Sequence, residues 1–125
     1  LAERSTDFFQ STAKLSEENS TIFMIKDYIS KNYMEDSLSV KDISAHVFLS
    51  ASYVCTFFKN ETGQTLNQYL TEYRMEKAKQ LLKDGRFKIS DISSRVGYSD
   101  GNYFGKSFKK YSGLSPSEYR EKNLK

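Results

Sequence analysis

The sequence has 125 residues, of which 38% are hydrophobic and 28% are charged, a balance typical of a soluble protein with one domain or two very small ones. One Cys and one His exclude a disulfide and a zinc site built from these residue types, and no apolar run approaches the roughly 20 residues that span a bilayer. The chain begins at Leu1 without a charged and apolar leader, so we expect a cytoplasmic piece of a longer protein.

The net charge of +3 conceals a gradient along the chain. Residues 1–73 carry six Lys and Arg against ten Asp and Glu, a net charge of −4. Residues 74–125 carry thirteen against six, a net charge of +7. The second half is therefore the better candidate for binding a polyanion, although a basic face alone is weak evidence for it.

The first half of the chain predicts three helices. Residues 1–20 are rich in Ser, Thr, Glu and Asn and predict a linker or the end of an upstream domain, with a disordered tail as the alternative. Apolar residues at helical spacing predict a helix over residues 21–33. Ser39 and Asp42 form a capping-box pattern before a short second helix. Ser50 is suited to cap a third helix, which Gly63 ends.

The longest predicted helix follows. Thr65 and Gln68 form a second capping box, and the helix is expected from roughly Leu66 to Lys83, where Asp84-Gly85 ends it. Its predicted apolar stripe consists of Leu66, Leu70, Tyr73, Ala78 and Leu81.

The second half then repeats the first. Val40, Ile43, Ser44 and Val47 recur 49 residues later as Ile89, Ile92, Ser93 and Val96, and Phe58, Lys59, Gly63, Thr65 and Tyr69 recur 50 residues later as Phe108, Lys109, Gly113, Ser115 and Tyr119. The one extra residue falls between Val96 and Phe104, in or next to a turn. Gly97 can supply the positive φ of that turn. Phe48 stands at the equivalent place in the first copy, so we expect the first turn to use a different backbone.

Two short helices joined by a tight turn are typical of a helix-turn-helix, whose second helix can lie in the DNA major groove. The outward faces hold Ser52, Cys55 and Thr56 with Lys59 in the first copy, and Asn102, Tyr103 and Lys106 with Lys109 and Lys110 in the second. Asn pairs well with adenine and Lys with guanine acceptors, and the terminal lysines suit phosphates. A spacer helix of roughly 27 Å lets both copies reach major grooves about 34 Å apart on a non-palindromic site.

One motif covers the second copy: Ile89-x-x-Ile92-Ser93-x-x-x-Gly97-Tyr98, then Tyr103-Phe104-x-x-x-Phe108-Lys109-x-x-x-Gly113-x-Ser115-Pro116-x-x-Tyr119-Arg120. With Phe58-Lys59-x-Glu61-Thr62-Gly63 and Tyr73-Arg74-Met75-x-Lys77-Ala78 upstream, it resembles the signature of AraC/XylS-type transcription regulators. The resemblance implies an all-α domain of seven helices over residues 21–125. Two homeodomain-like helix-turn-helix units in tandem (21–64 and 85–122) are joined by a long linker helix (65–84).

The same resemblance implies the base-reading positions. They are Ser52, Cys55 and Thr56 in the first unit, and Gly101, Asn102, Tyr103 and Lys106 in the second. Lys59, Lys109 and Lys110 are the predicted phosphate contacts. Gly101 and Gly105 weaken the second reading helix by up to about 1 kcal/mol each. Neither reading helix carries an Arg, so we expect modest sequence specificity.

These features predict a sequence-specific DNA-binding transcription regulator that needs no cofactor. Its partners would be double-stranded DNA and, in a regulator of this kind, RNA polymerase. The upstream partner would be the receiver domain of a two-component response regulator, or alternatively a small-molecule-sensing β-barrel domain. A helical protein-interaction module is the alternative from another class, but its faces should be apolar rather than polar. An enzyme is not expected, because the sequence has no nucleophile with a nearby base, no metal cluster and no phosphate loop.

His46 and Cys55 are better explained by packing than by metal binding or redox chemistry. His46 has no metal-binding companions and is expected to pack at the surface. Cys55 has no resolving Cys and is expected to be a small filler rather than a redox switch. Tyr103 can either pack or contact a thymine methyl group, and the sequence does not decide between the two.

Overall fold

The computed structural model describes residues 20–123, so nearly all of the predicted linker in residues 1–20 lies outside the described part. Over that range the chain forms seven helices and no strand, which confirms the all-α prediction. They are α1 (20–32), α2 (Val40–His46), α3 (Ala51–Thr62), α4 (Leu66–Leu82), α5 (Ile89–Arg95), α6 (Gly101–Ser112) and α7 (Pro116–Asn123).

Local sequence signals set the helix ends. Three capping boxes begin α2, α4 and α7, in which the hydroxyl of Ser39, Thr65 or Ser115 accepts from the N–H of Asp42, Gln68 or Glu118, and the return hydrogen bond is made. Gly63 and Gly113 end α3 and α6 in the left-handed region, at φ +80° and +87°. Ser50 and Asp100 cap the N-terminal ends of α3 and α6, so local sequence sets both ends of each candidate reading helix.

Helix α4 belongs to two hydrophobic cores. Leu66 and Leu70, in its first half, pack with buried residues of α1, α2 and α3. Met75, Ala78 and Leu82, in its second half, pack with buried residues of α5 and α6 and with Tyr98. The helix therefore completes the first unit and begins the second, and the two helix-turn-helix units share it.

The predicted apolar stripe of α4 packs against the two cores but was incomplete. Tyr73 and Leu81 are only half-buried, whereas Met75 and Leu82, which the prediction omitted, are fully buried. A single straight stripe would serve one core. Because the two cores lie on different sides of α4, the buried side moves around the helix from its first half to its second.

The repeat extends to the packing. The Tyr69 ring of α4 meets the Phe58 ring of α3 edge-on at 5.5 Å between centroids. The Tyr119 ring of α7 meets the Phe108 ring of α6 in the same way at 5.4 Å. In each unit a Phe–Tyr pair therefore packs the reading helix against the helix that follows it. That following helix is α4 in the first unit and α7 in the second.

The turn between α2 and α3 does not use a different backbone, and that expectation was wrong. Phe48 has φ +60° and Gly97 has φ +92°, so both lie in the left-handed region. The hydrogen bonds also match. Phe48 N donates to Ala45 O as Gly97 N does to Ser94 O, and the residue after each donates to Ser44 O or Ser93 O. The packing of the flanking helices determines the backbone conformation of the turn. Phe48 therefore adopts a left-handed conformation that glycine adopts more easily.

We expect Phe48→Gly to raise the free energy of unfolding by about 1 kcal/mol, because it removes the left-handed strain of a residue with a Cβ. Phe48 is 90% exposed, so little packing is lost. Phe48→Ala removes the ring but keeps the strain, and it should leave stability nearly unchanged. Urea denaturation of the three proteins measures the difference, and equal stabilities would contradict the strain.

Candidate nucleic-acid interface

Helix α3 presents a polar face opposite its buried one. Val54 and Phe58 are fully buried, while all four predicted contact residues, Ser52, Cys55, Thr56 and Lys59, are exposed. Their spacing of three, one and three residues places them on one side of a helix. The Ser50 side chain accepts from Tyr53 N at 3.1 Å and starts this face.

Helix α6 has the same arrangement with more positive charge. Phe104 and Phe108 anchor its inner side. All six predicted contact residues are exposed, namely Gly101, Asn102, Tyr103, Lys106, Lys109 and Lys110. The Asp100 side chain accepts from Asn102 N at 2.9 Å and from Tyr103 N at 3.4 Å. The inserted residue is Ser99, since Tyr98 follows Leu49 by 49 positions and Asp100 follows Ser50 by 50.

A side-chain hydrogen bond fastens the far end of α6 to α4. Tyr111 Oη donates to Glu76 Oε2 at 2.6 Å. This bond is the largest cause that lowers the pKa of Glu76 below its usual value, and burial together with the bond raises the pKa of Tyr111. Both shifts favour the ionised carboxylate with the neutral phenol. Together with the buried Phe pair, the bond holds the reading face of α6 in place.

An open groove of about 390 Å³ lies beside the reading face of α3. It is lined by Val40, Cys55, Thr56, Lys59, Asn60, Thr65, Leu66 and Asn67. The groove therefore lies between α3 and the N-terminal ends of α2 and α4. Helix N-termini present free N–H groups and a positive dipole end, which favour anions.

Three further candidate contact positions were not among those predicted from the sequence. Asn60 and Asn67 line the groove beside Lys59, and the 50-residue offset that pairs Lys59 with Lys109 also pairs them with Lys110 and Ser117. Tyr53 is 54% exposed and is the equivalent of Tyr103. The repeat was the signal that could have identified them.

Tyr103 and His46 each contact a neighbouring tyrosine ring. The Tyr103 ring lies 5.8 Å from the Tyr98 ring, yet the residue is 61% exposed, so it packs on one side and remains accessible on the other. The His46 ring stacks on Tyr28 at 4.3 Å, as expected for a surface packing residue. No helix within residues 20–123 is long and apolar enough to cross a membrane.

Comparison with known proteins gives consistent matches. A family model described as a helix-turn-helix domain matches residues 33–122. The chain is similar to the raffinose operon transcriptional regulatory protein RafR of Pediococcus pentosaceus, with 38% identity over 94 residues that cover 75% of this chain and 34% of that protein. The chain spans only 34% to 44% of the length of the curated relatives it matches.

Two solved structures are similar over most of their length. The C-terminal domain of AraT, a response regulator from Geobacillus stearothermophilus, has a TM-score of 0.82 and 32% identity, covering 84% of this chain and 87% of that one. The C-terminal domain of the two-component response regulator yesN from Fusobacterium nucleatum has a TM-score of 0.75 and 36% identity, covering 77% and 93%.

Proposed function

We propose that this chain, which belongs to the AraC-type helix-turn-helix family of DNA-binding transcription regulators, binds one DNA duplex with both units at once. The observation that carries the proposal is the repeated exposure of polar side chains on α3 and α6, each backed by a buried aromatic and apolar face. Faces of this size and polarity fit the edges of base pairs in a major groove. The family is one of regulators, and we assign this chain no catalytic activity.

We propose that Ser52, Cys55 and Thr56 read bases from α3, and that Gly101, Asn102, Tyr103 and Lys106 read bases from α6. Asn102 has the side chain for a bidentate contact to adenine, and Lys106 can donate to guanine acceptors. Tyr103 offers an exposed ring for a thymine methyl group. Gly101 brings no side chain, so its part would be to let the backbone approach the DNA closely.

We propose that Lys59, Lys109 and Lys110 contact phosphates. All three are exposed and lie in the second half of their helices. The N-terminal end of α4, which borders the groove beside α3, offers further N–H donors for a phosphate. Such contacts fix the position of the protein on the duplex and make its binding dependent on salt.

The shared helix sets the distance between the units. With 17 residues, α4 is about 26 Å long, and the half-widths of the flanking units add to this length. Equivalent major-groove faces recur about every 34 Å on one side of B-DNA. One molecule can therefore fill two successive grooves, and its site should be non-palindromic because the units are in tandem.

We propose that residues 21–125 are the output domain of a longer regulator, with units at 21–64 and 85–122 around the linker helix at 65–84. Two relatives with more than 30% identity over most of their length are C-terminal domains of response regulators, which favours a receiver domain upstream. RafR is named as the regulator of a raffinose operon, so a small-molecule-sensing domain is the second candidate. Because the proposed target is DNA, we also propose that the protein acts in the cytoplasm and that RNA polymerase is a further partner.

Site selection from a random DNA pool tests the proposal. The wild-type chain should enrich a bipartite sequence, and Asn102→Ala should lose preference at one base pair, at a cost of about 1–3 kcal/mol for the selected base. Asn123→Ala is the matched control, since Asn123 lies at the end of α7 and donates to Tyr119 O. A pool that shows no enrichment with the wild-type chain would overturn the function.

A further inference from the structure

Arg74 lies in the middle of α4, where the buried side of the helix passes from the first core to the second. It is only 8% exposed. Its Nε donates to Tyr33 O at 2.9 Å and its Nη2 donates to Glu35 O at 2.8 Å. Both carbonyls lie between α1 and α2, so a single α4 side chain holds that loop of the first unit through main-chain atoms.

The same guanidinium faces the second unit. Its Cζ lies 5.5 Å from the centre of the Tyr98 ring. A side chain on Gly97 would meet Arg74 Nε at 2.8 Å and would also overlap the Tyr33 carbonyl oxygen. Tyr33 packs against both cores. Tyr33, Glu35, Arg74, Gly97 and Tyr98 therefore form one contact between the units, here called the inter-unit junction.

Arg120 gives an internal comparison. Its Nε donates to Leu82 O at 3.0 Å, and its Nη2 donates to Asp84 O and Phe87 O. Leu82 and Asp84 follow Tyr33 and Glu35 by 49 positions, so the two arginines hold equivalent carbonyls in the two copies. The acceptors of Arg120 lie at the C-terminal end of α4 and in the loop that follows it, next to the second core. Arg120 therefore holds main-chain atoms beside the second core only. Arg74 holds the α1–α2 loop of the first unit and also contacts Tyr98 of the second unit.

We infer that Arg74 is a positioning residue for DNA recognition, because it fixes the rotation of α3 relative to α6 while the shared helix α4 sets their distance. The chain then accepts only one separation between its two half-sites. This inference rests on the proposed binding of both units to one duplex. It deepens that function by assigning the choice of half-site spacing to a residue outside both reading helices.

Removal of the Arg74 side chain should allow the two units to change their orientation relative to each other, while each unit stays folded. The first core and the second core are made of separate sets of buried residues, and neither includes Arg74. Without the guanidinium, the Tyr33 and Glu35 carbonyls can turn to water and Gly97 loses a packed neighbour. The substitution Arg74→Lys should restore the junction poorly, because an ammonium is a point charge that cannot present two fixed donors to two carbonyls.

The DNA test uses a site selected from a random pool by the wild-type chain, with base pairs inserted between its half-sites. One inserted pair rotates the second half-site by roughly 35°. Wild type should lose affinity about 30-fold on one insertion, which is the scale of a lost base contact or two. Arg74→Ala should lose less than about threefold on the same insertion, and Arg74→Lys should fall between them.

Arg120→Ala is the matched control. It removes an arginine with the same kind of acceptors, but it should keep the wild-type spacing preference because its acceptors all lie at or after the C-terminal end of α4. Equal spacing penalties in wild type and Arg74→Ala would overturn the inference while leaving the proposed function intact. Failure of the wild-type chain to select any site would instead contradict the proposed function.

A measurement without DNA tests the positioning role of Arg74 separately from the proposed DNA binding. Residual dipolar couplings of the free wild-type chain should fit one alignment tensor for both units, while Arg74→Ala should require two. Circular dichroism of the variant should retain the helical content of the wild type. If the couplings of Arg74→Ala still fit a single tensor with the wild-type orientation, Arg74 does not set the arrangement of the units.

Discussion

Gly97→Ala should lower the free energy of unfolding by about 2–5 kcal/mol, with roughly 1–2 kcal/mol from a Cβ in the left-handed region and about 1–3 kcal/mol from overpacking. Gly97 has φ +92°, and an added Cβ would run into the main-chain oxygen of Tyr33 and the Arg74 guanidinium. Main chain cannot move aside as a flexible side chain can. Equilibrium urea denaturation with a check of the transition slope measures the loss.

Gly113→Ala is the control for this substitution. Gly113 has a similar φ of +87°, but an added Cβ there would meet nothing within 4 Å. It should therefore show only the backbone cost of about 1–2 kcal/mol. The difference between the two variants isolates the close approach at the inter-unit junction. Identical losses would mean that Gly97 is needed for its φ alone.

The two turns show where sequence reasoning succeeds and where it fails. Gly97 was identified as a left-handed residue because glycine is the ordinary choice for positive φ. Phe48 was judged unable to adopt the same backbone, although its turn has the same hydrogen bonds. The preference of a residue with a Cβ against the left-handed region is worth about 1–2 kcal/mol. It is outweighed here because the two flanking helices pack into one core and allow the turn only one backbone conformation.

The reading faces were predictable because they depend on helical periodicity alone. Once Val54 and Phe58 are inside, Ser52, Cys55 and Thr56 must lie outside, and the same holds for α6. The exposure of all ten predicted contact residues follows from this rule. Their contacts with bases or phosphates do not follow from it and remain predictions.

The role of Arg74 could not have been predicted from its surroundings in the sequence. A charged residue in a long polar helix is ordinarily exposed, and the carbonyls that Arg74 binds lie 41 and 39 residues earlier in the chain. The shared role of α4 was hidden for a related reason. A pattern read along one helix shows how much of it is apolar, but it does not show that two separate cores cover different sides.

Simultaneous replacement of Lys59, Lys109 and Lys110 by Ala should weaken DNA binding about 100-fold at moderate salt, because three phosphate contacts of about 1 kcal/mol each are lost. The slope of log affinity against log salt concentration should fall in magnitude by about 2.7, the sum expected for three released counterions. The relative affinities for different sequences should stay the same, because phosphate contacts do not read bases. Fluorescence anisotropy over a salt series on matched and mutated duplexes gives all three quantities.

The matched control replaces Lys26, Lys31 and Lys77, which lie on α1 and α4 rather than on a reading helix. Lys26 and Lys77 are placed over the rings of Tyr69 and Tyr73, each 5.5 Å from the ring centroid, and Lys31 pairs with Asp27 at 3.0 Å. Both triple variants lose the same charge, so long-range attraction to DNA is reduced equally. Only the loss of direct contacts separates them, because counterions are released where phosphates are neutralised at close range. If the control triple lowers the salt slope as much as the first, these three lysines are not the phosphate contacts, and the duplex must lie against another face of the molecule.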